Sequence, residues 1–353
     1  MSDPNSTENV LKRTEGRAGI LSLNRPKAIH ALTLDMVHAM TSALLEWRDD
    51  PAIDVLMIDH SEGRGFCAGG DIAFLRGSAL NDGGASGRRF FHDEYQLNHL
   101  LMTWGKPVLA FMDGITMGGG VGISGPATYR VATEHTRLAM PETGIGLFPD
   151  VGGGWYLSRL KGRLGQYLAL TGARLDGAEC LWAGLATHYV PAENLAEAKA
   201  RIAADPTTIP AILRELSAVP PEPGIAAHAA EIERLFASNR YEDILAALEG
   251  DDSDFARATL ATLRTKSPQT CKVALRQLST SLTLPDFAAN MAMEYRIGSR
   301  VLTMPDFAEG VRAVIVDKDN APRWSPATPE GVSDDLLDEI FAPLGAADEW
   351  KPL

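Results

Sequence analysis

The sequence predicts an α/β fold followed by a helical C-terminal region, on three observations. Two apolar runs of strand length, Val55–Ile58 and Val108–Met112, each lead into a glycine-rich loop and then into a helical pattern. From Ile225 to about Val316 the apolar spacing is almost wholly helical. No 20–50-residue repeat of the solenoid kind interrupts this order.

Taken in order, Val10–Arg13 and Ala18–Leu23 flank the turn Glu15-Gly16-Arg17 and predict an opening hairpin. Thr33 is placed to cap a helix reaching about Asp49, with Met36, Met40, Leu44 and Trp47 at helical spacing and Pro51 as its stop. The strand Val55–Ile58 then feeds the loop SEGRGFCAGGDI, and Val108–Met112 feeds DGITMGGG. Between Arg163 and about Val190 the pattern gives two short helices and a strand, and Glu193–Ala203 is helical. Five prolines in Pro206–Pro223 read as a linker. The acidic, proline-rich tail Asn320–Leu353 holds one amphipathic helix around Asp334–Phe341. The expected division is a core over 1–205 and a helical region over 206–353.

Composition excludes several classes. With 353 residues, 45% hydrophobic and 22% charged, the chain buries a full core and is not disordered. No run of eighteen apolar residues predicts a membrane span. The start MSDPNSTENV has neither a secretory nor an arginine-rich organelle leader, so a cytoplasmic protein is expected. Three scattered cysteines, Cys67, Cys180 and Cys271, predict buried apolar roles in a reducing compartment rather than a disulfide frame or zinc cluster. A net charge of −13 argues against nucleic-acid or anionic-membrane partners and requires a local basic patch for any anionic ligand.

The chemistry sits between Phe111 and Gly154, where two glycine triplets bracket a stretch holding Glu142 and Asp150. A strand that ends in a glycine turn and opens a helix aims unbonded N–H groups, with the positive end of the helix dipole, at whatever lies above it. Gly70 in FCAGGD and Gly119 in MGGGVG are the candidate donors to an oxyanion, and a side chain at Gly119 would hold a carbonyl away. Tight turns and close helix packing need the same glycines. Other motifs fail: GGGVGI and GGGWYL do not complete GxGxxG, no GxxxxGK[ST] or HExxH is present, and Gly122-Ile123-Ser124-Gly125-Pro126 misses GxSxG.

The segments Leu23–Thr33 (LNRPKAIHALT), Gly63–Ile72 (GRGFCAGGDI), Pro107–Ser124 (PVLAFMDGITMGGGVGIS) and Met140–Leu160 (MPETGIGLFPDVGGGWYLSRL) resemble the enoyl-CoA hydratase/isomerase (crotonase) superfamily. Within it, PETGIGLFPDVGGG, Met293–Leu302 and Asp306–Trp324 are most similar to the 3-hydroxyisobutyryl-CoA hydrolases. The resemblance implies a crotonase-like spiral of ββα units and a CoA thioester as substrate, with no metal or redox cofactor. Its carbonyl would be held by the Gly70 and Gly119 amides, and its adenine and pantetheine would lie against Lys27, Ala28, Ile29, Ala68, Gly69, Gly70, Asp71 and Ile72. A solvated surface lysine is the alternative for Lys27. His30 stands where the family usually has asparagine.

By the same resemblance Glu142, presented by Pro141, is the acid that activates water as a general base or attacks as a nucleophile. Its apolar neighbours Met140, Ile145, Leu147 and Phe148 predict a raised pKa. Asp150 would bind the 3-hydroxyl of the acyl group, or simply cap a helix. Glu94, in FFHDEYQ, would be a further acid on the substrate side, or a solvated helix glutamate. Hydratases of the superfamily carry a second glutamate three residues after the middle glycine of the triplet; Gly122 occupies that position. The implied activity is therefore hydrolysis of 3-hydroxyisobutyryl-CoA or a close short 3-hydroxyacyl-CoA in valine breakdown. An enoyl-CoA hydratase or isomerase and a non-catalytic acyl-CoA-binding protein are the alternatives, and trimers or hexamers are the implied assemblies.

Overall fold

The computed structural model describes residues 9–353, so the expectation drawn from residues 1–8 of the start lies outside the described residues. The chain folds into two compact units interleaved along the sequence. The first takes Met1–Gly70, Leu100–Leu138 and Leu175–Glu222; the second takes Asp71–His99, Ala139–Arg174 and Pro223–Leu353.

The first unit carries the strands β1 (Val10–Glu15), β2 (Ala18–Leu23), β3 (Val55–His60), β4 (Gly65–Cys67), β5 (Val108–Met112), β6 (Ile115–Met117), β7 (Tyr129–Ala132), β8 (Arg137–Ala139), β9 (Leu175–Asp176) and β10 (His188–Tyr189). One sheet has the order β1-β2-β3-β5-β7-β10 and the other β4-β6-β8-β9. β1 and β2 form the expected antiparallel hairpin, with β1 two residues longer than read. From β2 to β10 each neighbour in the large sheet is parallel. Successive turns of chain give one strand to each sheet, β3 then β4, β5 then β6, β7 then β8, which is a spiral of ββα turns.

β3 and β5 are buried along almost their whole length, as the inner strands of a covered parallel sheet must be. Alternate residues Ile20, Met57, Leu109, Phe111 and Val131 share a core with Ala198 and Ile202 of the helix Leu195–Ala204 and with Ile209, Ile212 and Leu213 of the helix Ile209–Leu216. This corrects the linker reading of Pro206–Pro223. Pro210 sits in the first turn of its helix, where the missing N–H costs nothing, and Ile209, Ile212 and Leu213 repeat at helical spacing. The expected boundary at residue 205 accordingly falls inside the first unit, which runs to Glu222.

Thr33 caps the helix Leu34–Arg48, accepting from the Met36 N–H at 3.3 Å. The glycine loops differ from the reading in one respect: each contains a three-residue strand, β4 or β6, before its helix. Glycine-rich triplets carry no strand periodicity to read. The helical expectation for the C-terminal region holds, with the longer helices at Pro268–Ser281 and Phe287–Val301 in the second unit and Asp334–Phe341 as read. The three cysteines are buried and free. Among the described residues no helix is long and apolar enough to cross a membrane.

Candidate active site

In the first unit the two glycine loops meet backbone to backbone. A Cβ on Gly69 would lie 3.7 Å from the Gly119 nitrogen, and one on Gly120 would lie 2.4 Å from the Cys67 carbonyl oxygen. Gly120 is therefore the member of the triplet that permits the approach, since no side chain fits against a main-chain oxygen at that distance. Gly119 is the first residue of the helix Gly119–Ser124, so its N–H has no carbonyl within the helix to serve. Among the described residues neither the Gly70 nor the Gly119 N–H donates to a backbone carbonyl outside the strand and helix ladders. Gly122 is buried within that same helix.

The predicted CoA-contact residues come together in the same unit. Ala68 N–H donates to the Ile29 carbonyl at 2.9 Å and Leu32 N–H to the Gly69 carbonyl at 2.7 Å, which lays Ala28–Leu32 along Ala68–Gly70. Lys27, in the short 3-10 turn Pro26–Ala28, is exposed. Ile29 and His30 both have left-handed backbone, with φ of 48° and 56°. Asparagine tolerates that region well and histidine is also enriched there, which fits the exchange at residue 30. The buried His30 ring accepts from the Arg25 N–H at Nδ1, so Nε2 donates to the Glu62 carbonyl, each at 2.9 Å. Burial lowers its pKa and keeps it neutral. Asp71, at the start of the second unit, caps the helix Ile72–Asn81 by accepting from the Phe74 N–H.

The acids gather in the second unit. Glu94 lies on the helix Ala85–Met102, and Glu142 opens a 3-10 turn behind Pro141. Asp150 precedes the glycine triplet that starts the helix Gly153–Ser158. Glu94 is 2% exposed and Glu142 and Asp150 are 5% exposed, which removes the solvated-helix alternative for Glu94. Asp150 is not a helix cap either: Gly152 holds that position, and the Asp150 Oδ2 instead accepts from the Tyr95 hydroxyl at 2.8 Å. One oxygen of Glu94, one of Glu142 and both amide atoms of Asn98 are buried without a hydrogen-bond partner among the described residues. Buried polar groups in native proteins are rarely left so, which marks these atoms as awaiting a polar ligand or water.

Charge explains the rest of their chemistry. Burial, followed by the nearby Asp150 carboxylate, drives the pKa of Glu94 and Glu142 well above the ordinary range. Burial also pushes Asp150 up to about 7, against the lowering effect of the Tyr95 hydrogen bond. A cluster of this kind holds fewer charges than carboxylates, and a carboxyl poised near neutrality can take and return a proton.

The sequence reading missed Glu294, on the helix Phe287–Val301. Its Oε2 accepts from the Gly152 N–H at 2.7 Å, and its Oε1 accepts from the Gly154 N–H, Gln277 Nε2 and Asn290 Nδ2, each at 2.9 Å. A Cβ on Gly154 would lie 2.9 Å from that Oε1, so the second triplet is built around a carboxylate from its own chain. Burial raises Glu294 to about 7 while its four donors act in the opposite sense. The signal that could have exposed it was the triplet itself, a ready anion cradle at a helix start. Among the described residues no group of three or more His, Cys, Asp or Glu side chains is placed to hold a metal ion.

Comparison with known proteins decides the family. The enoyl-CoA hydratase/isomerase profile matches residues 18–341. The chain belongs to this family. It is 42% identical over 348 residues to the mitochondrial 3-hydroxyisobutyryl-CoA hydrolase of Xenopus laevis, covering 94% of this chain and 88% of that protein. The human mitochondrial 3-hydroxyisobutyryl-CoA hydrolase is 40% identical over 359 residues, covering 97% and 91%. Among solved structures, a carnitinyl-CoA dehydratase from Mycobacterium thermoresistibile superposes with a TM-score of 0.92 at 38% identity, over 96% of this chain and 98% of that one. An enoyl-CoA hydratase from Rhodobacter sphaeroides gives 0.91 at 37% identity, over 98% and 100%. The fold is thus the crotonase fold that the glycine loops and ββα turns implied.

Proposed function

We infer that this chain hydrolyses 3-hydroxyisobutyryl-CoA, or a closely related short 3-hydroxyacyl-CoA, to the free hydroxy acid and CoA, as a step of valine catabolism. The carrying observation is the trio of buried carboxyls Glu94, Glu142 and Asp150 in a chain about 40% identical over nearly its full length to hydrolases of that ester. Thioester hydrolysis needs donors for the carbonyl oxygen as it becomes an oxyanion, and an acid that prepares the attack. The Gly70 and Gly119 amides supply the first, each such donor contributing roughly 3 kcal/mol to transition-state stabilisation. Glu142 supplies the second. As a base it takes a proton from water while the water oxygen bonds to the carbonyl carbon; the C–S bond then breaks and CoA leaves as a thiolate that takes up a proton. As a nucleophile it forms a mixed anhydride, releasing CoA first, and water then opens the anhydride. Asp150 accepts the 3-hydroxyl of the acyl group, and Glu94 supplies further polar contact on the same side.

Two solved relatives are named as a dehydratase and a hydratase, which keeps an enoyl-CoA reaction as the second reading. Gly122 weighs against it, because paired carboxylates add water across a double bond and that position has no side chain. The proposed reaction draws on no metal or redox cofactor. Exposed Lys27 offers local positive charge to the anionic CoA of a chain whose net charge is −13. A cytoplasmic location is part of the proposal, supported by three buried free thiols suited to a reducing compartment. A trimer or hexamer is proposed by analogy with the family alone.

The test is to incubate the protein with 3-hydroxyisobutyryl-CoA and with crotonyl-CoA, following free thiol and enoyl absorbance separately. Thiol release from the hydroxyacyl ester alone is expected. Loss of enoyl absorbance without thiol would establish the hydratase reading instead, and binding of both esters with neither signal would leave a binding protein.

A further inference from the structure

Asp150 sits beside an awkward piece of backbone. Val151, the next residue, has φ of 53°, and Gly152 has φ of 89°. A β-branched residue in the left-handed region is a true outlier, costing on the order of 1–3 kcal/mol, and it persists only where the surroundings enforce it. What enforces it is visible on both sides. After the turn, Glu294 gathers the Gly152 and Gly154 N–H groups onto its two oxygens. Before it, Gln277 Nε2 donates to the Pro149 carbonyl at 2.6 Å and also to Glu294 Oε1 at 2.9 Å. Asn290, one turn earlier than Glu294 on the same helix, donates to that oxygen as well. Glu294 therefore ties together both ends of the segment Pro149–Gly154.

We propose that Glu294 is a positioning residue, which holds the left-handed turn at Val151–Gly152 and so fixes the Asp150 carboxyl for the hydroxyl of a 3-hydroxyacyl ester. The proposal rests on the reading of Asp150 given above and adds the device that aims it. Every group bonded to Glu294 is a donor. A glutamine there must turn its NH2 toward a donor and lose at least one bond, so Glu294→Gln breaks the clamp while nearly conserving volume.

The experiment measures kcat/KM for 3-hydroxyisobutyryl-CoA and for isobutyryl-CoA, the same ester without the hydroxyl. It is run on the full-length wild type, Asp150→Asn, Glu294→Gln and the double variant. The ratio of the two values is expected to fall about tenfold in Glu294→Gln, the scale of one charged hydrogen bond lost. In the Asp150→Asn background Glu294→Gln should change the ratio no further, because both act on one interaction. A Glu294→Gln variant that slows both esters equally, keeping the ratio, has only a structural role and overturns the proposal. A full, additive effect in the double variant overturns it too. If Asp150→Asn itself leaves the ratio intact, the reading of Asp150 fails and the proposal with it; if Asp150→Asn lowers the ratio and Glu294→Gln does not, only the positioning role fails. Should Glu294→Gln show no cooperative melt, Gln277→Met removes the bond to Pro149 and one donor to Glu294, and the same fall in ratio is required of it.

Discussion

At pH 7.5 Asp150→Asn is expected to unfold at a higher urea concentration than the wild type, while at pH 5 the advantage largely disappears. Asp150 is 5% exposed and its pKa rises from 3.8 to about 7 on folding, chiefly through burial. Because the folded pKa is the higher one, the native state binds this proton more tightly than the unfolded chain. Its contribution is complete below about pH 3.8 and is lost as pH rises toward 7. Between pH 5 and 7.5 the wild type should thus give up about 3 kcal/mol at this one group, at 1.36 kcal/mol per pH unit. Asparagine does not titrate, and its carbonyl can still accept from the Tyr95 hydroxyl, so the variant escapes that loss. The diagnostic is the change in the wild-type-to-variant difference between the two pH values, which cancels any fixed cost of packing an amide. Equal differences at both values would refute the reasoning, and would mean that Asp150 is as easily ionised inside the fold as outside.

The acid limb of kcat/KM for 3-hydroxyisobutyryl-CoA should lie above the ordinary glutamate range, because burial and the Asp150 charge raise Glu142. In Asp150→Asn that limb should move to lower pH as the neighbouring charge is removed; a pH–rate profile that does not move contradicts the coupling. Gly119→Val should cost about 10²–10³ in kcat with the melting temperature nearly preserved, if its amide is an oxyanion donor. Gly120→Ala should instead lower thermal stability outright, since its Cβ meets the Cys67 carbonyl oxygen at 2.4 Å. Circular-dichroism melts beside the rate measurements separate the two.

Much of the site was legible because its signals are local. Glu142 follows a proline and sits in an apolar run, Asp150 stands beside glycines, and Glu94 keeps helical register with apolar Phe90, Phe91 and Leu97; the fold buries all three acids. The two glycine triplets, by contrast, look alike and do different work. Gly118–Gly120 starts a helix whose first N–H has no intrahelical partner, whereas Gly152–Gly154 surrounds a carboxylate supplied by residue 294. A glutamate on an amphipathic helix ordinarily faces water, and nothing within Met293–Leu302 announces a contact some 140 residues away. Distance in sequence hid the architecture in the same way. The helix Ile209–Leu216 was masked by flanking prolines although its apolar spacing was intact, and strands of two or three residues such as β4, β6 and β9 are too short for alternation to register. The interleaving of the two units follows from chain returns that no local pattern encodes.

The central claim is that the buried Glu142 carboxyl carries the chemistry of thioester hydrolysis. Its most direct test is steady-state turnover of 3-hydroxyisobutyryl-CoA by Glu142→Gln, read beside the dissociation constant of the ester from calorimetry. The amide conserves the shape of the side chain but can neither take a proton from water nor form an anhydride. Turnover should fall by at least 10²–10⁴, the usual worth of a positioned acid–base group, with the dissociation constant within a few-fold of wild type. Wild-type turnover in this variant would contradict the account.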